Sequence, residues 1–490
     1  MKRNLFILAL WGLVVCIPQE AKAVTFDPAV RYSREVINAR MTSWKNKTNT
    51  VGFPNANSTN GSTSPGTAAS WDYVPGVVAK GILDVWAYYQ DSTWAAAWYD
   101  GLSSWALSKT AKNTGGSLDD LNCTKVFFGV YDGCKSGGKY ENSTNATYCM
   151  TQLGRGADGL EAHNSSYSIS GTSSTADGGW YHKSDYGNQM WCDGAYMGPA
   201  LLAQLLAYNV STTLTWSDVM TQFNASWGGL WDEDADLLWH CFSTDKSTGG
   251  ASGWYYAPGL EKQGGGYHSA EYWGRADGWY IMALVDVLEA MEKAGKKNDA
   301  DFLVIQGYLK KLAAGLVARQ DATTGCWYQL LQYDDSECAD KGSGNDASIT
   351  GSTTFKNGGS QCNYLESSGS CLITGALLKG LRLGYLSSTE SGQNIQAAAK
   401  KGYEGIIRNF LSGSAGSYQL TSSCQSAGLG SDRNGTAAYY LIGKDVPIQN
   451  DSEGKVLGAF LMAAVEYERA YPPEETAGGE CRCLRVSISE

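Results

Sequence analysis

The chain has 490 residues, 43% of them hydrophobic, 12% aromatic and only 18% charged, with a formal net charge of −11 at neutral pH. That is ample apolar material for a large core, and the acidic balance excludes nucleic acid and anionic membrane surfaces as partners. The 17 Trp and 29 Tyr exceed what a core requires, and rings with polar tips suit contact with sugars or other flat ligands.

In chain order, Lys2 and Arg3 precede an apolar run from Leu5 to Ile17, and Ala21-Lys22-Ala23 fits a small-x-small cleavage site. Residues 1–23 therefore read as a secretory signal peptide, too short in its apolar run to span a bilayer, and the protein is expected outside the cell. Its removal takes away three basic residues and one acidic one, moving the net charge from −11 to −13. An anionic ligand must then be held by a local basic pocket. Residues 24–490 read as one domain with a core over about 70–470.

Apolar residues at three- and four-residue spacing predict helices over Val77–Tyr89, Trp94–Leu107, Ala200–Tyr208, Asp277–Ala290, Phe302–Ala318, Leu372–Leu383, Ile395–Leu411 and Val456–Arg469. Residues 45–70 and 122–178 are low in apolar content and read as surface insertions, since helical segments resume on both sides. Strand-like alternation is rare. Helix, loop, helix at this pitch predicts stacked helical hairpins in a single all-α domain.

Thirteen cysteines are present, and Cys16 leaves with the signal. The even remainder, in an oxidising compartment, predicts disulfides within the clusters Cys123, Cys134, Cys149 and Cys326, Cys338, Cys362, Cys371, and at Cys481 and Cys483. No Cys pair has a His pair at metal spacing, so no metal is expected. Asn-x-Ser/Thr sequons, among them Asn46, Asn57, Asn60, Asn122 and Asn142, predict loop glycans in a eukaryotic source.

Aromatic-rich motifs recur where loops enter helices. Trp71-Asp72-Tyr73 precedes the first. "GGWYHKSDYGNQMWCDGAYMGP" (178–199), "YWGRADGW" (272–279) and "YLESSGS" (364–370) precede three more. Helix N-termini carry partial positive charge and free N–H groups, so several at one mouth would floor a cleft for an anionic or polar ligand.

These motifs, with "CQSAGLG" and "NDSEGKVLGAFLMAAVEYER" in the same order, resemble the unsaturated rhamnogalacturonyl hydrolases, glycoside hydrolase family 105. The unsaturated glucuronyl hydrolases of family 88 are a weaker match. The resemblance implies an (α/α)6 barrel of six helical hairpins with the site in the loops at one end. It implies removal of the 4,5-unsaturated uronic acid that lyases leave at the non-reducing end of pectin fragments. An acid protonates C4, water adds at C5, and the hemiketal opens and expels the neighbouring sugar, so the two-carboxylate spacing rule of glycosidases need not apply. No cofactor is implied, and the expected partner is the unsaturated oligosaccharide, bound by a monomer.

Residue by residue, Asp193 in "MWCDGAYM" matches the catalytic Asp, acid toward C4 and then base toward water. Burial among Trp191, Tyr196 and Met197 is expected to raise its pKa, although the same spacing fits a helix N-cap. Tyr73, Asp119, His182, Trp191, Met197, His240, Trp273, Arg275 and Trp279 match substrate-binding positions. Asp119 lies in "SLDDLN", where a one-residue shift would put Asp120 in its place. Arg275 would hold a carboxylate with a two-pronged hydrogen bond. Cys192, Cys371 and "EGKVLGAF" depart from the family pattern, as does the 123–149 insertion, which bears on substrate choice. Two other readings stand beside this one: an α-1,6-mannanase-type barrel using Asp119 and Asp120 as a pair, and a non-catalytic carbohydrate-binding protein.

Overall fold

The computed structural model describes residues 24–43, 71–170, 176–245, 265–340, 360–430, 433–443, 445–450 and 454–472. The expected signal peptide at residues 1–23, the 45–70 stretch with its three sequons, Cys481 and Cys483 lie outside these residues. Among the described residues the helices are α1 (Tyr32–Ser43), α2 (Tyr73–Tyr89), α3 (Thr93–Ala106), α4 (Leu118–Asn122), α5 (Val126–Cys134), α6 (Ser143–Ser166), α7 (Cys192–Met197) and α8 (Pro199–Ala207). They continue with α9 (Trp216–Leu230), α10 (Gly274–Lys293), α11 (Ala300–Ala318), α12 (Ser367–Arg382), α13 (Ile395–Phe410), α14 (Ala437–Ile442) and α15 (Gly454–Ala470). Strands are two- or three-residue pieces in the loops.

The helices form two concentric rings. α2, α5, α8, α10, α12 and α15 make the inner ring, and α3, α6, α9, α11, α13 and α1 cover it from outside. This is an (α/α)6 barrel. Inner helices are apolar nearly all round, as burial on every side demands: α10 and α12 bury almost every residue, including Asp277 and Asp286. Outer helices bury one stripe, as α13 does with Ile395, Ala398, Ala399, Gly402, Ile406 and Phe410. The ring closes where the N-terminal helix meets the last one. Ser33 donates from its N–H (3.0 Å) and its hydroxyl (2.7 Å) to the buried Glu468 carboxylate, and Tyr89 of α2 donates to the same group at 2.8 Å.

Inner helices approach closely where both carry glycine. A Cβ on Gly458 would lie 2.6 Å from the Val77 carbonyl oxygen, and one on Gly81 would lie 2.8 Å from the Gly458 oxygen. This is the "GKVLGAF" segment that departs from the family pattern, and its glycine seats α15 on α2.

The eight predicted helices are present, with ends moved by a few residues. The 122–178 region is not a surface insertion, because it supplies α5 and α6, and α1 and α9 also escaped the periodicity reading. The 24-residue α6 is polar because it buries only a thin stripe. Cys149, Leu153, Ala157 and Leu160 face inward, while Gly156 and Gly159 let it sit against Thr124 and Leu121. The disulfide expectation holds at Cys338–Cys362. The remaining described cysteines, Cys123, Cys134, Cys149, Cys192, Cys241, Cys326, Cys371 and Cys424, are buried thiols that pack as small hydrophobes. Asn122 is 2% exposed and cannot present a glycan.

Candidate active site

The inner helices all start at one end of the barrel, and the loops that enter them enclose a cavity of about 210 Å³. Backbone pairing decides which side chains meet there. The strand Gln189–Trp191 runs directly into α7, so Trp191 caps that helix and Asp193 becomes its second residue. The same strand pairs antiparallel with Cys241–Ser243, Trp191 opposite Cys241. The Cys192 N–H donates to the His240 carbonyl at 3.1 Å. This register sets His240 beside Asp193, with Nε2 3.4 Å from Asp193 Oδ2. The two atoms face each other within ion-pair range but without hydrogen-bond alignment, and both are buried without a hydrogen-bond partner.

A second pairing builds the opposite wall. Ser117 bridges Lys183, and the Leu118 N–H donates to the His182 carbonyl at 3.1 Å. Asp119, in the first turn of α4, therefore meets His182 Nε2 at 3.3 Å and Lys183 Nζ at 2.6 Å. His182 stacks with Trp191 and Tyr186, whose own rings lie 5.0 Å apart and nearly parallel. Asp120 is exposed and does not line the cavity, whereas Asp119 does.

The carboxyl groups differ in how firmly they are held. Burial pushes the Asp119 pKa up, but its interactions with His182 and Lys183 outweigh it and hold it well below the usual carboxylate range. Asp193 corrects an expectation. Burial does raise its pKa, but His240, with His182 in support, overcomes that contribution and leaves the group lowered. Burial in turn lowers the His240 pKa against the pull of Asp193, so the ring is neutral near pH 7.

Arg275, in the first turn of α10, is 2% exposed and stacks on Trp273 with 4.5 Å from its guanidinium carbon to the ring centre. Its fork is engaged by the chain itself. Nη1 donates to the Cys424 carbonyl at 2.5 Å and to Ser368 Oγ at 3.2 Å, and Nη2 reaches the Gln425 carbonyl at 3.4 Å. It ties α10 and α12 to the 424–428 loop, a task the sequence reading did not foresee. Trp273 is fixed from the other side by its indole N–H, which donates to Gln329 Oε1 at 3.0 Å.

The structure thus brings Tyr73, Asp119, His182, Trp191, Asp193, Met197, Trp273, Arg275 and Trp279 to one cavity wall, with His240 directly behind Asp193. Sequence reasoning passed over Lys183, Tyr186, the Ser426–Gly428 turn, Arg433, Asp445 and Lys455, which complete the lining. Arg433 pairs with Asp445 at 2.5 Å, and Ser426 Oγ donates to the Asp445 carbonyl at 2.8 Å. The turn lies within the "CQSAGLG" motif, which could have located it. Arg433 and Asp445 had no such signal. A larger cavity, about 500 Å³, lies toward the far ends of α2, α10 and α12. On its lining Lys80 pairs with Asp84 at 2.7 Å and Lys379 with Asp286 at 2.6 Å.

A family model described as Glycosyl Hydrolase Family 88 matches residues 52–351 and 352–471. Over 203 residues the chain is 30% identical to Protein Atu3128 of Agrobacterium fabrum, covering 40% of this chain and 72% of that protein. A glycoside hydrolase of family 105 from C. acetobutylicum superposes with a TM-score of 0.61 at 26% identity, over 82% of this chain and 95% of that one. An unsaturated glucuronyl hydrolase from Bacillus sp. GL1 shares the fold, with a TM-score of 0.53 at 13% identity over 90% and 97% of the two chains. By this match across most of its length the chain belongs to glycosyl hydrolase family 88; it is a glycoside hydrolase of the unsaturated uronyl type, consistent with the family 105 likeness of its motifs.

Proposed function

We propose that the protein removes the 4,5-unsaturated uronic acid from the non-reducing end of lyase-generated oligosaccharides of the rhamnogalacturonan type, with Asp193 as the catalytic acid and base. The observation that carries this reading is the contrast between the two carboxyl groups on the cavity wall. Asp119 is clamped by His182 and Lys183 and stays ionised, which suits it to accept hydrogen bonds from sugar hydroxyls. Asp193 faces a single neutral imidazole across an unclosed 3.4 Å gap, so it is the group able to exchange a proton.

In the reaction, Asp193 gives its proton to C4 of the enol ether. The cation left at C5 takes up water, whose proton returns to Asp193. The resulting hemiketal opens, the C–O bond to the neighbouring sugar breaks, and that sugar leaves with a proton. The resting Asp193 is lowered, whereas an acid needs its proton near the working pH. A bound uronate supplies the change, because it brings a negative charge into the cavity and expels water, and both raise a carboxyl pKa. His182, Lys183 and the stacked Tyr186 and Trp191 bind and flank the ring. The Cys338–Cys362 disulfide supports work in an oxidising compartment.

The test is the ultraviolet absorbance of an unsaturated rhamnogalacturonan disaccharide. The expected result is loss of absorbance in step with release of the neutral sugar. Cleavage of a saturated α-mannoside, or binding with absorbance intact, would replace this reading with the mannanase or binding-protein one.

A further inference from the structure

The inference starts from a contact behind the cavity wall. Tyr440, in α14, is 0% exposed, and its hydroxyl lies 2.6 Å from His240 Nδ1. Its backbone is held by Gln329, which donates to the Tyr440 carbonyl at 3.3 Å while receiving the Trp273 indole N–H. One glutamine therefore locates both a ring of the cavity wall and the partner of His240.

We propose that Tyr440 is a positioning residue for the reaction. Its phenol fixes His240 in the tautomer that presents an N–H to Asp193, and so sets the pH at which Asp193 gives up its proton. This rests on the role of Asp193 proposed above. The argument is one of donors and acceptors. Burial keeps His240 neutral, so the ring has one N–H to place. Burial also keeps the Tyr440 phenol protonated. Among the described residues, its hydroxyl has no acceptor but His240 Nδ1. If Nδ1 carried the ring proton, the phenol hydrogen would be buried with nothing to bond, which is disfavoured. Nδ1 therefore accepts, the proton sits on Nε2, and Nε2–H lies on the Asp193 side of the ring, 3.4 Å from Oδ2 and within ion-pair range. A donor on that side favours the carboxylate over the acid.

Other ionisable groups face this trio. His182 and Asp119 lie across the cavity from Asp193, Arg275 acts on His240, Cys192 and Cys241 flank the strand pair, and Glu271 acts on Tyr440. All are retained in Tyr440→Phe, so a difference between that variant and the parent reports the phenol hydrogen.

Two measurements decide the matter. The chain has four histidines, so long-range proton–nitrogen spectra of the labelled native protein are simple, and His240→Gln assigns the signal. The expected pattern is protonated Nε2 and bare Nδ1 for His240. A protonated Nδ1 overturns the proposal, whether or not the proposed substrate is turned over and whether or not the Phe variant folds. In Tyr440→Phe, the Nε2 lone pair becomes free to accept from protonated Asp193. The alkaline limb of kcat/KM on the unsaturated disaccharide should then move up by roughly 0.5–1 pH unit. A limb that stays in place while the rate merely falls means that Tyr440 only packs, and also overturns the proposal.

Discussion

Replacing Arg275 with alanine separates two ways a buried guanidinium can serve this site. The sequence suggests that the fork grips the substrate carboxylate, whereas the structure has it gripping the 424–428 loop. Two of its bonds are well formed, to the Cys424 carbonyl at 2.5 Å and Ser368 Oγ at 3.2 Å, and the third, to Gln425 at 3.4 Å, is long. Hydrogen bonds to a charged group contribute about 1.5–3 kcal/mol each, so losing the two well-formed ones should cost about 3–6 kcal/mol of stability. That is a large share of the ~5–15 kcal/mol available to a typical native protein. Urea denaturation measures it. The loop also carries Ser426, Ala427 and Gly428 on the cavity wall. A displacement near 1 Å in such a wall costs about 100-fold in rate, so kcat/KM should fall roughly 10- to 100-fold. Because the fork is engaged within the chain, the free uronate and its methyl ester should lose by the same factor. Arg275→Lys keeps the charge but not the fork and should lose nearly as much. A loss on the acid tenfold greater than on the ester would refute this reasoning and return Arg275 to direct carboxylate recognition.

Asp193→Asn should abolish turnover, by about 100- to 10,000-fold, while leaving binding of the unsaturated disaccharide measurable by calorimetry; near-normal turnover would remove Asp193 from its role. Glu271 is buried, and burial raises its pKa to about 8 in the folded chain. The folded state therefore holds a proton that the unfolded chain has already released, and stability should fall as pH rises from about 4.5 toward 8. Glu271→Gln should flatten that slope and raise Tm at pH 8 more than at pH 5, and an unchanged slope would assign the pH dependence elsewhere. Gly458→Ala would press a Cβ against Val77 at 2.6 Å. It should cost about 1–3 kcal/mol by overpacking, read from the urea midpoint, with no change if α15 can slide.

The inner ring was legible because its helices are buried on every side. Burial on all faces forces apolar residues at every turn, and α2, α10, α12 and α15 carry that mark in their composition. The site was legible as a set of aromatic motifs at helix entries, since those entries gather at one end of any such barrel. An outer helix such as α6 needs only a thin stripe, so glycine and polar residues hid it. Local pattern could not choose between Asp119 and Asp120, which differ by one step on a short helix whose orientation is set by the Ser117–Lys183 bridge. Nor could it bring His240 to Asp193, 47 positions apart, which needed the Trp191–Cys241 register. The direction of the Asp193 pKa followed from that contact. Burial and a facing imidazole act with opposite signs, their balance depends on distance and orientation, and both are properties of the folded chain alone.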